Sequence, residues 1–145
     1  MSYTYKYPRP MVTVDAVVFG KTSDGSCEVL LIERGGQPFK GSWALPGGFV
    51  EMEETLEESV ARELKEETGI ESLELQQFYT FGNPGRDPRG RNITIAFWGI
   101  EQKSRLKPKA GSDAKSFKWH NINDLPPLAF DHNAVIAKAI EAAGL

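Results

Sequence analysis

The chain is poor in several things, and each shortage excludes a class of protein. Among its 145 residues there is one cysteine, Cys27, so no internal disulfide and no CxxC-type zinc site is available. No apolar run is long enough to cross a bilayer, and the start MSYTYKYPRPM lacks the basic-then-apolar layout of a secretory signal. Basic residues are not in excess. Seventeen Lys and Arg stand against twenty Asp and Glu, a net charge of −3, which argues against a general nucleic-acid binder. Repeats, low-complexity tracts and linkers are missing too, and this length suits one hydrophobic core. The expectation is a single cytoplasmic domain over residues 1–145, with neither a membrane nor a nucleic-acid partner.

What the chain has is acid in one place. Eight of the twenty acidic residues lie between Glu51 and Glu67, inside LPGGFVEMEETLEESVARELKEETGI, with only Arg62 and Lys65 for relief. Base is concentrated elsewhere, in GRDPRGR (Gly85 to Arg91) and KSRLKPK (Lys103 to Lys109). Such a separation suits a site that holds a metal and an anion together.

MVTVDAVVFG (Met11 to Gly20) is rich in β-branched residues and predicts a strand; CEVLLIER (Cys27 to Arg34) predicts a second, hairpinned to the first through KTSDGS. GGQPFKGSWALPGG (Gly35 to Gly48) reads mostly as loop. A helix follows, opened by a Thr55–Glu58 capping box and stopped by Gly69. Strands are expected over Leu73 to Gly82, Asn92 to Glu101 and Ser116 to Ile122, then a closing helix capped by Asp131 and ending near Gly144. The order β-β-α-β-β-β-α has few β-α-β crossovers and favours a mixed sheet covered by helices.

At roughly 100° per residue, Glu63, Glu66 and Glu67 share one face of the first helix while Val60 and Leu64 lie on the neighbouring face. Like charges at these spacings repel by about 0.2–0.5 kcal/mol per exposed pair. Carboxylate oxygens are hard ligands that match Mg²⁺ or Mn²⁺. On charge alone, a solvated acidic helix with Arg62 and Lys65 giving partial relief is the favoured reading.

Spacing alone does not settle it; the motif does. Gly48, five residues, Glu54, seven residues and then RELKEETGI (Arg62 to Ile70) resemble the box of the MutT/Nudix pyrophosphohydrolase family, with Gly48, Glu54, Arg62, Glu63, Leu64, Glu66, Glu67, Gly69 and Ile70 filling its fixed positions. The resemblance implies an α/β Nudix fold, an α/β/α sandwich with a mixed β-sheet between helices. It implies Glu63, Glu66, Glu67 and the Gly48 carbonyl as ligands of Mg²⁺ or Mn²⁺, and Glu54 with Arg62 as an ion pair orienting them. It further implies cleavage of a pyrophosphate bond in a small-molecule nucleotide, and a possible homodimer. For the general base, Glu63 and Glu66 are candidates inside the box, and Asp113 and Glu101 outside it.

Within the family, GRDPRG together with RGGQPFKGSWALPGGFVE (Arg34 to Glu51) and LAFDH (Leu128 to His132) looks like the ADP-ribose pyrophosphatase branch and its relatives among NAD-metabolism regulators. That likeness implies a nucleotide pocket lined by Arg34, Phe39, Trp43, Arg86 and Arg89. The loop arginines also fit a solvated turn built on Pro84, Gly85, Pro88 and Gly90. Such regulators carry a C-terminal winged helix, whereas this sequence stops at Leu145, which favours an enzyme. Many ADP-ribose hydrolases have a proline sixteen residues beyond the box, where this chain has Arg86, so a MutT-like triphosphate substrate stays open. A non-catalytic ADP-ribose sensor is the alternative of another class. No SQPWPFPxS-like run follows the box, which argues against an NADH pyrophosphatase. Phe97 and Trp98 read as core, Cys27 as packing, His120 as a structural strand residue and His132 as part of a helix cap.

Overall fold

A computed structural model describes residues 2–109 and 114–145. Its strands are β1 (Met11–Lys21), β2 (Cys27–Arg34), β3 (Trp43–Ala44), β4 (Gly47–Phe49), β5 (Gln76–Phe81), β6 (Asn92–Gln102) and β7 (Ala114–Asn121). Its helices are α1 (Leu56–Thr68) and α2 (His132–Ala143). The sheet runs β3-β2-β1-β6-β5, with β4 paired to β1 and β7 to β2. β1 and β6 are parallel, and the other pairings are antiparallel, so the sheet is mixed as expected.

Side chains alternate across a strand, and here the alternation sorts the core into two layers. Val14, Ala16 and Val18 of β1, Leu30 of β2 and Ile95 and Phe97 of β6 face Val60 and Leu64 of α1. Val17, Phe19, Val29, Leu31 and Ala96 face Val135, Ile136 and Ala139 of α2. The result is a helix on each side of one sheet. Val60 and Leu64 are almost wholly buried, and each contributes about 1.5–3 kcal/mol by leaving water.

The signals of the first helix are confirmed. Thr55 and Glu58 exchange both capping-box bonds, at 2.9 and 3.1 Å, and Gly69 adopts the left-handed conformation at φ 74°. The hairpin of β1 and β2 also forms. Phe97 is buried, and Trp98 and Cys27 pack against the second cluster. Burial pushes the Cys27 thiol above its ordinary range.

The Gly35–Gly48 segment is mostly loop, as expected, with β3 and the start of β4 set into it; two or three residues become a strand there only by pairing with β2 and β1. Two expectations are corrected. The strand predicted from Leu73 begins at Gln76, because Leu73 and Leu75 turn to pack against the α1 layer. Asp131 stands at the start of α2 but its side chain caps nothing; Arg86 takes both carboxylate oxygens.

Candidate active site

The site begins where β4 passes beside α1. Gly48 needs to be glycine because a Cβ there would sit 2.5 Å from Oε1 of Glu63, so its absence lets the carboxylate lie against the strand. On the same strand the Gly47 N–H donates to Oε1 of Glu67 at 2.7 Å, and Glu67 is buried. Two of the box carboxylates are thus drawn to the two glycines that precede the helix.

Arg62 binds the rest together. Its Nε and Nη2 clasp Glu54 at 2.7 and 2.9 Å, its Nη1 reaches Glu63 at 2.9 Å and Glu66 at 3.3 Å, and its Nη2 also donates to the Phe49 carbonyl at 3.3 Å. The Ser59 hydroxyl donates to Glu54 at 2.7 Å. Hydrogen bonds from Arg62 and then Ser59 outweigh the desolvation and hold the Glu54 carboxyl at about 2. Glu54 in turn pushes the Arg62 guanidinium above its ordinary value, despite its burial. The loop, β4 and α1 are tied at one cation.

The donor chemistry fits a hard divalent cation: carboxylate oxygens on one helix face beside a backbone carbonyl that no Cβ shields. Among the described residues, no group of three or more His, Cys, Asp or Glu side chains is arranged to hold an ion as it stands. Arg62 lies among the box carboxylates, 2.9 Å from Glu63 and 3.3 Å from Glu66.

Next to these glycines opens a pocket lined by Thr13, Asp15, Arg34, Phe49, Arg89 and His132, among others. Arg34, Arg86 and Arg89 all reach it, but on different terms. Arg86 is buried, clasps Asp131 at 2.9 and 2.7 Å and donates to Thr94 at 2.6 Å, so its guanidinium is spent within the protein. Arg89 chelates Asp87 and stays half-exposed. Burial raises the Asp87 pKa, but hydrogen bonds from the Arg89 side chain, the Arg89 backbone and Asn92 overcome it and set the carboxyl at about 2. Arg34 donates Nε to the Pro38 carbonyl at 2.7 Å and has no carboxylate partner among the described residues. Burial and then the charge of Arg89 lower its pKa, against the attraction of Glu67 and Asp87. Of the three arginines, Arg34 is the one without a direct carboxylate contact among the described residues.

Two further candidates lie elsewhere. Trp43 is on β3, edge-on to His120 and packed into the α2 layer, and does not line this pocket. Glu101 is a correction. The parallel register of β1 and β6 sets it beside Gly20, six residues along from the Val14–Gly48 pairing, or about 20 Å. There it accepts from its neighbour Gln102 and pairs with Arg105, too far to act as base. Asp113 lies outside the described residues. Phe39 is exposed at the rim, edge-on to Phe130.

The sequence reading missed Asp15 and His132. The Leu45 N–H donates to Nδ1 of His132 at 3.0 Å, and Nε2 of the ring lies 3.3 Å from Oδ2 of Asp15. The bond from Leu45 pins the segment leading into β4 to the start of α2. The available signal was Asp15 itself, a carboxylate within an apolar strand that becomes fully covered.

Residues 9–142 match the family model described as NUDIX domain. The chain is 45% identical to an ADP-ribose pyrophosphatase of Methanocaldococcus jannaschii over 90% of its own length and 73% of that protein. It is 36% identical to the ADPR responsive transcriptional repressor NtrR of Acinetobacter baylyi, over 92% of this chain but 54% of the repressor. Among solved structures, the NUDIX domain of Shewanella oneidensis NrtR complexed with ADP ribose superposes with a TM-score of 0.87 at 35% identity, over 97% of this chain and 94% of that one.

Proposed function

The chain belongs to the Nudix family, and from that premise we propose that it hydrolyses ADP-ribose to AMP and ribose 5-phosphate with a divalent cation, Mg²⁺ or Mn²⁺. The observation that carries the reading is a juxtaposition. Box carboxylates against Gly47 and Gly48 adjoin a pocket that Arg34 lines without a direct carboxylate contact among the described residues. One half is chemistry for a metal and the other is chemistry for a diphosphate.

In this reading Glu63, Glu66, Glu67 and the Gly48 carbonyl hold the cation. When bound, it supplies Lewis acidity and a lowered pKa for water. Arg34 and Arg89 take anionic oxygens of the diphosphate, Arg34 with its fork otherwise unclaimed. Glu54 and Arg62 keep the carboxylates in register with β4, and His132, accepting from the Leu45 N–H, holds the segment before it. Glu63 or Glu66 accepts the proton released as water adds to phosphorus. The bond from that phosphorus to the bridging oxygen breaks, and each half leaves as a phosphate monoester.

Product identification tests the substrate. The protein is incubated with Mg²⁺ and, separately, ADP-ribose, dGTP, 8-oxo-dGTP, NADH and a diadenosine polyphosphate. Fastest formation of AMP and ribose 5-phosphate supports the reading; pyrophosphate release from a triphosphate with ADP-ribose untouched refutes it. A second reading, an ADP-ribose sensor without turnover, has its support in the similarity to NtrR and in the hold of Arg62 on Glu63 and Glu66.

A further inference from the structure

Two cations of like sign share one aromatic ring at the mouth of the pocket. The guanidinium carbon of Arg34 lies 5.0 Å from the centroid of Phe130 and that of Arg89 lies 5.1 Å from it, so the two charges stand within about 10 Å of each other. Arg89 also lies 4.8 Å from the ring of Phe49, and Phe39 meets Phe130 edge-on at 4.8 Å. Phe130 is held at φ 53° and Phe39 at φ 60°, the left-handed region that glycine or asparagine occupies at least cost. Ordinary packing at the start of a helix does not call for a bulky ring in that conformation. Non-glycine residues kept in that region cluster at ligand sites.

The charges explain what the ring is for. Arg89 is neutralised by Asp87, whereas Arg34 has a single carbonyl for its Nε. An aromatic face is negative and attracts a guanidinium, so one ring shared by two arginines offsets their mutual repulsion and restrains where each fork points. An aliphatic side chain of similar volume would fill the space without doing either.

We propose that Phe130 is a positioning residue for substrate affinity: its ring holds Arg34 and Arg89 at the spacing that grips the anionic oxygens of the diphosphate, and it takes no part in cleavage. The inference rests on the assignment of a nucleoside diphosphate substrate made above. Steady-state kinetics on ADP-ribose with wild type, Phe130→Leu, Phe130→Met, Phe130→Tyr, Arg34→Gln and the Phe130→Leu/Arg34→Gln double variant test it. Removing the ring face raises KM about tenfold while kcat stays within about twofold, and Phe130→Tyr restores KM. In the double variant the KM penalty is smaller than the product of the two single penalties, because part of the ring's effect runs through Arg34 and only the part through Arg89 remains.

An unchanged KM in Phe130→Leu or Phe130→Met, a loss confined to kcat, or a penalty that simply adds to that of Arg34→Gln overturns the proposal. Phe130→Met stands in if Phe130→Leu does not fold. Wild type that ignores ADP-ribose but cleaves another nucleotide of the panel refutes the substrate assignment, and the same KM pattern on that nucleotide still decides the role of Phe130. For a protein that binds without turnover, calorimetric Kd for ADP-ribose replaces KM.

Discussion

Gly48→Ala isolates the close approach on which the site depends. The added Cβ would lie 2.5 Å from Oε1, 2.6 Å from Cδ and 2.8 Å from Oε2 of Glu63. Ordinary contact begins near 3.4 Å, so the carboxylate must retreat by roughly 1 Å, and the Oε1 that is crowded is the one Arg62 Nη1 holds at 2.9 Å. Misplacing a reacting group by about 1 Å costs on the order of 100-fold, which is about 2.7 kcal/mol of barrier. Stability should hardly change, because Gly48 is not among the positive-φ glycines and alanine suits an extended strand. Gly47→Ala is no substitute, since its Cβ would meet the Val14 carbonyl and Asp15 and disturb the sheet itself. The assay is AMP release under kcat/KM conditions, paired with a thermal melt. A variant that melts within a few degrees of wild type and loses about 100-fold in kcat/KM is the expected result. Activity within about threefold of wild type at unchanged Tm would refute the idea that the site needs Glu63 against the strand.

Other expectations separate charges that bind from charges that hold the fold. Arg34→Gln should raise KM with little change in Tm, because Arg34 has no carboxylate partner among the described residues. Arg86→Leu should lower stability by about 2 kcal/mol, less than the roughly 3–5 of a fully buried pair because Asp131 keeps 29% of its side chain exposed; an unchanged denaturant midpoint would contradict this. Glu54 has its pKa lowered from 4.5 to about 2 in the fold, so its contribution is complete above pH 4.5 and disappears as pH falls toward 2. Wild-type Tm should therefore fall across that window more steeply than that of Glu54→Gln, and parallel pH profiles would show that the Glu54–Arg62 pair does not stabilise the fold.

How much of this was legible in the sequence depended on whether the determining contact was local. The α1 helix was fully legible, since Thr55, Glu58 and Gly69 fix its ends within one turn of themselves. The box residues were legible because spacing on one helix and one loop suffices to bring Glu54 and Arg62 together. β4 was not, because three residues become a strand only against β1. The roles of the arginines were not either: Arg86 is neutralised by Asp131, forty-five residues away, and nothing near it in the chain tells it apart from Arg89. Glu101 was misplaced for the same reason, since only the parallel pairing of β1 and β6 reveals which end of the sheet it occupies. His132 looked like part of a cap because its partners, Leu45 and Asp15, come from the other half of the chain.

The most direct test is multiple turnover on ADP-ribose by wild type beside Glu67→Gln, with a divalent cation and excess substrate. The amide introduced by Glu67→Gln can still accept the Gly47 N–H that Glu67 accepts at 2.7 Å, so the fold survives while the charge for the cation is lost. Many equivalents of AMP and ribose 5-phosphate per wild-type molecule, and a collapse of that rate in Glu67→Gln at unchanged Tm, is the predicted result. Tight binding of ADP-ribose with no product, or equal rates in the two proteins, would contradict the account.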